Sequence, residues 1–262
     1  MANISATIIT DNNIACIGRC LESLSGIADE IIVVDAFSSD GTADACKQYG
    51  CKVRQRHFDG YGAQKQYAVS LASNSYVLSI DADEYLDDEL KMAILQLKEQ
   101  GFEHRIYSLS RLNFFGGRPI KHSGWWPDKQ IRLFDKRYAS WDLRDVHERV
   151  TFPGTLWPAP LPGLLKHIRC VSAAEHRRKE TGYAVIIARM LVAQGVRPTM
   201  CGAYMRAIMA FIRIYIFKLG FLDGTEGREI ASTAADMRLV AYRMAKKAER
   251  NSNIGEQTTA KR

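Results

Sequence analysis

Through the first hundred residues, short apolar runs alternate with segments of helical periodicity. SATIIT (5–10), DEIIVVDA (29–36) and YVLSI (76–80) are continuous and rich in β-branched residues, the pattern of strands buried on both faces. CKVRQRHF (51–58) alternates as a half-buried strand does. Between these runs, Ile14, Ile17, Leu21 and Leu24 share one helical face. SSDGTADACKQYG (38–50) opens on turn and cap residues and stops at Gly50, and GAQKQYAVSLAS (62–73) reads as a helix. Asp87 to Gln100 forms a further helix, with Leu90, Ile94 and Leu97 on one side and Gly101 after it. Four β-α repeats at this pitch predict an α/β fold: a mostly parallel, Rossmann-like sheet covered by helices. Ligands of such sheets bind at the C-terminal strand ends, where Thr10, Asp35 and Asp81 fall in three different strands.

The pattern changes after residue 105. RIYSLSR and KQIRLF are strand-like, but NFFGGRPIKHSGWWPD and TFPGTLWPAPLPG are rich in aromatics, glycine and proline, a composition expected of pocket-shaping loops. From Ser172 the chain turns helical. AYMRAIMAFIRIYIFKLGFL (203–222) is long enough to span a bilayer, but Arg206, Arg213 and Lys218 interrupt it. Arg206 and Arg213, seven apart, lie nearly on one face. A basic amphipathic helix is expected, lying on a membrane surface or packing on the N-terminal α/β domain. The expected organisation is an α/β domain over 1–170, a helical basic region over 171–250 and a disordered polar tail over 251–262.

Charge sharpens this division. The chain carries +7, but residues 162–262 hold 18 basic and 8 acidic side chains, +10, leaving −3 on residues 1–161. An anionic partner is expected for the C-terminal part: a phosphorylated ligand, nucleic acid or an anionic membrane. The N-terminal MANISATIIT shows neither the basic nor the apolar region of a secretion signal, and the six cysteines form no CxxC pair. Reduced thiols and a cytoplasmic chain follow as expectations, with no disulfide or zinc site.

Against that charge map, YVLSIDADEYLDDEL (76–90) packs six acids into nine positions after a buried strand. Asp87, Asp88 and Glu89 suit the first turn of the helix that follows, where carboxylates complement the helix dipole. Asp81 and Asp83 come too early for that. Two carboxylates one residue apart at a strand end are hard oxygen ligands for Mg²⁺ or Mn²⁺, ions commonly shared with substrate phosphates.

IITDNN (8–13), IIVVDAFSSDGT (31–42), GYGAQKQYA (60–68) and VLSIDADE (77–84), in this order and spacing, resemble the GT-A catalytic domain of family 2 glycosyltransferases. GWWPDKQIRLF (124–134), DVHE (145–148) and GFLDGTEG (220–227) are similar to a narrower branch, the lipopolysaccharide core β-glucosyltransferases and related bacterial enzymes. The resemblance implies that Thr10 and Asp35 hold the nucleoside, that Lys65 lies near the nucleotide, that Asp81 contacts the ribose and that Asp83 binds the metal. Asp40 is expected to cap a helix. An inverting transfer needs a general base. The candidates are Asp128, Asp145 and Glu148, with Glu148 favoured by the VHE motif. His147 and His167 are candidate metal or diphosphate contacts, and Trp125 and Trp126 candidate sugar-stacking faces. Arg132 and the run His176, Arg177, Arg178 and Lys179 are candidate phosphate contacts. Asn13 stands where the family usually has an acid, and Ala36 where a small hydroxyl residue is common.

The implied reaction moves a sugar, glucose from UDP-glucose, to a lipopolysaccharide inner-core or similar glycolipid acceptor. The enzyme is expected to be peripheral on the cytoplasmic face of the inner membrane. Transfer to polyprenyl phosphate is an alternative that the lack of long C-terminal membrane segments disfavours. A non-catalytic nucleotide- or nucleic-acid-binding module would use the +10 region, but it leaves the DAD motif unexplained and has no recognisable nucleic-acid motif. No nucleic-acid partner is therefore expected.

Overall fold

Each apolar run of the N-terminal part becomes a strand whose alternate residues face opposite layers. A computed structural model describes residues 2–144, 148–193 and 199–259. In chain order it begins β1 (Ile4–Thr10), α1 (Ile14–Ser23), β2 (Glu30–Asp35), α2 (Thr42–Gln48), β3 (Lys52–Gln55) and α3 (Tyr61–Ser70). There follow β4 (Tyr76–Asp81), β5 (Glu84–Leu86), α4 (Asp88–Gln100), β6 (Ile106–Phe115), β7 (Arg118–Pro119) and β8 (Lys129–Asp135). Next come β9 (Ser140–Trp141), β10 (Val150–Thr151) and β11 (Ala159–Cys170), and the chain closes with α5 (Ala173–Ala193), α6 (Met200–Ile212) and α7 (Gly224–Thr259).

The chain divides into two compact units, residues 1–112 with 127–168, and residues 113–126 with 169–262. The expected boundary at 170 is continuous in sequence; the observed division is not, because the segment 113–126 belongs with the C-terminal helices. The sheet order is β3-β2-β1-β4-β8-β6-β11-β5. β3, β2, β1 and β4 are parallel, the expected Rossmann-like half, and β8 and β6 extend it in antiparallel fashion. Val33, Leu78, Tyr107 and Leu133 face one apolar cluster with α1 and α4. Their chain neighbours Ile32, Val77, Ile106 and Phe134 face the other, with Val69 and Trp141. That parity is the two-residue period of a strand with both faces covered.

Two strands depart from the sequence reading. β11 includes part of the segment expected to be an irregular loop, since Pro160 and Pro162 hide a strand that pairs with β5 through Leu165–Leu86 and His167–Glu84. β5 itself interrupts the acidic run. Asp87 caps α4, its Oδ1 accepting the N–H groups of Leu90 and Leu164, both at 2.9 Å. Asp88 and Glu89 form the first turn, as expected. Asp40 likewise caps, accepting Thr42 N–H and Ile14 N–H at 3.0 Å and so tying the starts of α1 and α2 together.

In the second unit α5 and α6 pack on α7 through Ala184, Ala188, Ala203, Ala241, Tyr242 and Ala245. The stretch 203–222 is not one helix. α6 ends at Ile212, a π-helical turn follows over Arg213–Phe217, and Leu219 adopts a left-handed φ of 54° before a short 3₁₀ turn. Asp223 at its end accepts from the N–H groups of Lys121 and His122 and from the Ser123 hydroxyl, which anchors the GFLDGTEG motif to the segment 113–126. The expected disordered tail is instead helical through Thr259, since extending an existing helix costs far less than starting one. All six cysteines are free thiols.

Gly163, with φ +84°, lies against the start of α4, where an added Cβ would come 2.2 Å from the Leu90 nitrogen and 2.8 Å from the Asp87 carboxylate. Gly163→Ala is expected to destabilise the fold by more than about 1 kcal/mol, because both the dihedral and the space are wrong for a side chain. Urea unfolding checks this: the midpoint falls if the junction is as tight as described and stays put if it is not.

Candidate active site

The parallel strands bring three predicted residues into line. Thr10 pairs with Asp35 across β1 and β2, and Ile9 pairs with Asp81 across β1 and β4. Thr10 Oγ1 donates to Asn13 Oδ1 at 3.0 Å, and the same oxygen accepts Asp11 N–H at 2.9 Å. Asn13, where the family usually has an acid, therefore serves as a carbonyl acceptor that shapes the loop after β1. Asp35 is fully buried and accepts from the backbone N–H (3.0 Å) and hydroxyl of Ser38. Phe37 follows with a left-handed φ of 61°, and its exposed ring lies 4.4 Å from that of His57.

Asp81 meets two cations. Arg132 Nη2 donates to its Oδ2 at 2.7 Å, and Lys65 Nζ is paired with its Oδ1 at 2.9 Å. Burial works to raise the Asp81 pKa, but the charges of Arg132 and then Lys65 outweigh it and hold the carboxyl well below the usual carboxylate range. Arg132 is 2% exposed. Burial disfavours its charge, yet Asp81 and Glu84 overcompensate and push its pKa upward. Arg132 Nη2 also donates to Glu84 Oε1 at 2.8 Å, and Arg111 Nη1 reaches the same oxygen at 3.0 Å. Glu84 Oε2 accepts the Asp81 N–H at 3.0 Å, closing the turn between β4 and β5. The Trp141 ring underlies the cluster, 4.7 Å from Lys65 Nζ and 5.4 Å from the Arg132 guanidinium carbon, and its Nε1 donates to Ser79 Oγ.

Lys65 Nζ donates to Glu148 Oε1 at 2.7 Å, so Glu148, the favoured base, shares a cation with Asp81. Gly62 makes this possible: an added Cβ would sit 2.1 Å from the Asp142 carbonyl oxygen, so only glycine lets α3 approach that loop so closely. Asp128 stands on the far side of Arg111, whose Nε donates to its Oδ2 at 2.8 Å, while Gln130 donates to its Oδ1 at 2.6 Å. Asp83 points the other way, its Oδ2 3.4 Å from His167 Nε2. Cys20 lies beneath, its Sγ 3.7 Å from the Asp81 carbonyl oxygen. Burial and then the nearby Glu84 and Asp83 push its thiol well up, which keeps it from acting as a nucleophile.

The structure thus brings together Thr10, Asp35, Lys65, Asp81, Asp83, Asp128, Arg132, Glu148 and His167 in the first unit. Asp145 and His147 lie outside the described residues. Arg132, expected as a phosphate contact, is instead an internal partner of two acids, because its burial keeps bulk solvent away. Trp125, Trp126, Arg177 and Lys179 belong to the second unit. There Trp125 packs on Phe115 and His176 with Arg169 over its ring. Arg177 is bidentate to Glu229 at 2.6 and 2.9 Å, and Lys179 is paired with Glu175 at 3.0 Å and donates to the Arg169 carbonyl, while both side chains stay about half exposed. Sequence reasoning missed Glu84, Arg111 and Trp141. The signal for Glu84 was its place next to DAD, but its partners come from a distant strand.

A divalent cation fits Asp83 and His167 better than Asp81, whose two oxygens are already met by cations. Among the described residues no group of three or more His, Cys, Asp or Glu converges as a metal site. Two protein ligands suffice where substrate phosphates and water complete an octahedron, as is usual for Mg²⁺.

Arg132→Met leaves Glu84 and Asp81 each with one cation fewer inside the protein, and about 3–5 kcal/mol of stability is expected to be lost. Arg177→Met, at the exposed pair with Glu229, is expected to leave the unfolding midpoint nearly unchanged. Equal midpoints for the two variants would show that the buried network is not what holds the strand ends.

The family model described as "Glycosyl transferase family 2" matches residues 5–152. An uncharacterised glycosyltransferase of Rickettsia typhi is 31% identical over 87% of this chain and 81% of its own length. The lipopolysaccharide core biosynthesis glycosyltransferase LpsC of Rhizobium meliloti is 31% identical over 81% of this chain and 80% of its own. Among solved structures, S. aureus TarS (residues 1–349) in complex with UDP-GlcNAc aligns over 95% of this chain and 92% of its own, with 15% identity and a TM-score of 0.43. Matched over more than half its length, and with relatives that align along most of theirs, the chain is a member of glycosyl transferase family 2 and a glycosyltransferase.

Proposed function

We propose that this glycosyltransferase transfers glucose from UDP-glucose, with inversion, to a lipopolysaccharide inner-core or similar glycolipid acceptor, using Mg²⁺ or Mn²⁺ on the cytoplasmic face of the inner membrane. The observation that carries the reading is the division of labour at the end of β4. Asp81 is neutralised by Arg132 and Lys65, while Asp83 is left facing His167. The likeness to LpsC, named for lipopolysaccharide core biosynthesis, supports the acceptor class.

The charges support the metal. Lys65, Arg111 and Arg132 face Asp81, Asp83, Glu84, Asp128 and Glu148, three cations against five carboxylates. A diphosphate entering alone would meet net negative charge; a divalent ion on Asp83 and His167 offsets it. When bound, that ion supplies Lewis-acid stabilisation of the charge growing on the leaving UDP. Thr10 and Asp35 flank the nucleoside end, and Lys65 offers its ammonium to the diphosphate. In the transfer, the bond from the sugar's anomeric carbon to the diphosphate oxygen breaks and a bond to the acceptor oxygen forms. The acceptor's hydroxyl proton passes to Glu148.

Two measurements test this. UDP with Mn²⁺ is expected to raise the thermal midpoint of the wild type but not of Asp83→Ala. Glu148→Gln is expected to retain that shift while losing about 10²–10⁴-fold in transfer to a lipopolysaccharide-core acceptor. Salt-dependent binding of DNA or RNA with no response to UDP would sink the reading.

A further inference from the structure

α6 is built inside out. Its buried side is small: Ala203 and Ala207 sit in the cluster with α7 or beside it. Its large apolar residues point away from the protein, with Met205, Ile208 and Met209 each close to 60% exposed. These positions follow the i, i+3, i+4 spacing of one helical face. Beyond the π-helical turn, Ile216, Phe217 (75% exposed) and Leu222 are exposed as well. Ten of the 24 large apolar side chains exposed among the described residues fall in the 23 positions from Met200 to Leu222. Leaving so many large apolar side chains in water along one short segment is costly, and apolar patches of this kind mark interaction sites.

The charge on the same segment selects the occupant. From Thr199 to Leu222 there is no acidic residue, while Arg206, Arg213 and Lys218 are all exposed. Arg206, whose guanidinium carbon lies 5.6 Å from the Tyr242 ring of α7, and Arg213, seven residues on, mark one flank of the apolar face, where a long cationic side chain such as Arg213 can reach upward from a buried helix. A protein partner or a second copy of this chain would need acids to meet these cations. A bilayer with anionic headgroups meets both the apolar face and the flanking charge. The segment Met200–Phe217 is long and apolar enough to cross a membrane by length and composition. However, Ala203 and Ala207 are turned toward protein, and Arg206 and Arg213 would lie at mid-membrane depth.

We infer that the outer face of α6 and the following turn, from Met205 to Leu222, inserts into the headgroup and upper acyl region of an anionic lipid surface, with the helix lying in the membrane plane. This deepens the proposal of a membrane-held acceptor by naming the surface that docks. It rests on that reading only for its purpose, and its test contains neither donor nor acceptor.

Flotation of the full chain with vesicles of phosphatidylethanolamine and phosphatidylglycerol, and with vesicles of phosphatidylcholine, decides it. The wild type is expected to float with the anionic vesicles and more weakly with the neutral ones. Ile208→Ser, Met209→Ser and Phe217→Ser combined are expected to lower partitioning at least about a hundredfold without lowering the thermal midpoint, because these side chains touch water in the free protein. Arg213→Gln with Lys218→Gln is expected to cost about thirtyfold on anionic vesicles and little on neutral ones. Phe217→Trp gives a direct reading: blue-shifted emission on vesicle addition and quenching by brominated lipid. Unchanged flotation of the triple-serine variant would overturn the inference. So would a lipid-free dimer that the same three substitutions convert to monomer, which would make a second copy the occupant. Vesicle binding in a chain that fails to glycosylate any glycolipid would leave this surface standing and remove the acceptor proposal instead.

Discussion

The guanidinium of Arg132 is a charge taken almost wholly out of water, and the catalytic end of the sheet is organised to tolerate it. Desolvating such a cation costs several kcal/mol unless its partners are close and correctly placed. Asp81 at 2.7 Å and Glu84 at 2.8 Å both meet it through Nη2, and the Trp141 ring lies 5.4 Å from its central carbon, while Nε and Nη1 are buried with no hydrogen-bond partner among the described residues. Because both acids lie on one tight turn, satisfying Arg132 fixes the path of the chain between β4 and β5. Glu84 reaches back to the Asp81 N–H and locks the same turn from the other side. Of the two residues between them, Ala82 is buried and Asp83 lies with its Oδ2 3.4 Å from His167 Nε2. The buried ion cluster thus fixes the turn that carries Asp83.

That arrangement bears on how the acidic run could be read from sequence. The split between DAD and the helix start at Asp87 follows from spacing, since Asp87 stands at the position that caps α4. The role of Glu84 does not. A glutamate in a run of acids looks solvated, and only the arrival of Arg111 and Arg132, 27 and 48 residues later, makes it one of the most buried charges in the protein. Local pattern carries the four β-α repeats for the same reason that it misses Glu84: the repeats are set by neighbours in sequence, the charge network by strands that meet across the sheet. β11 was obscured similarly. Its prolines at 160 and 162 suit a loop by local rule, whereas its pairing with β5 depends on residues some eighty positions earlier.

Lys65 links the two halves of the catalytic constellation. It lies 2.9 Å from Asp81 and 2.7 Å from Glu148, so one ammonium holds the strand-end acid and the candidate base at a common point. A negatively charged ligand approaching that point competes with both carboxylates for the same cation.

The second unit reverses the usual rule by which an amphipathic helix is read. Periodicity identifies an apolar face, and in water that face is expected to turn inward. In α6 the inward face is made of alanines: Ala203 packs in the cluster with α7, where Ala241 and Ala245 are equally small, and Ala207 is buried as well. Close approach of two backbones excludes large side chains from between them, so the methionines and isoleucines have nowhere to go but out. The basic flank then follows from the same geometry: a cation beside an outward apolar face is well placed only if the medium outside is both apolar and negatively charged at its edge. The +10 charge of the C-terminal part, which by composition alone suits nucleic acid as well as lipid, thereby acquires a direction. Arg177 and Lys179 are neutralised by protein partners, whereas Arg213 and Lys218 stand exposed beside apolar surface, and the latter pair is where an anionic surface gains the most.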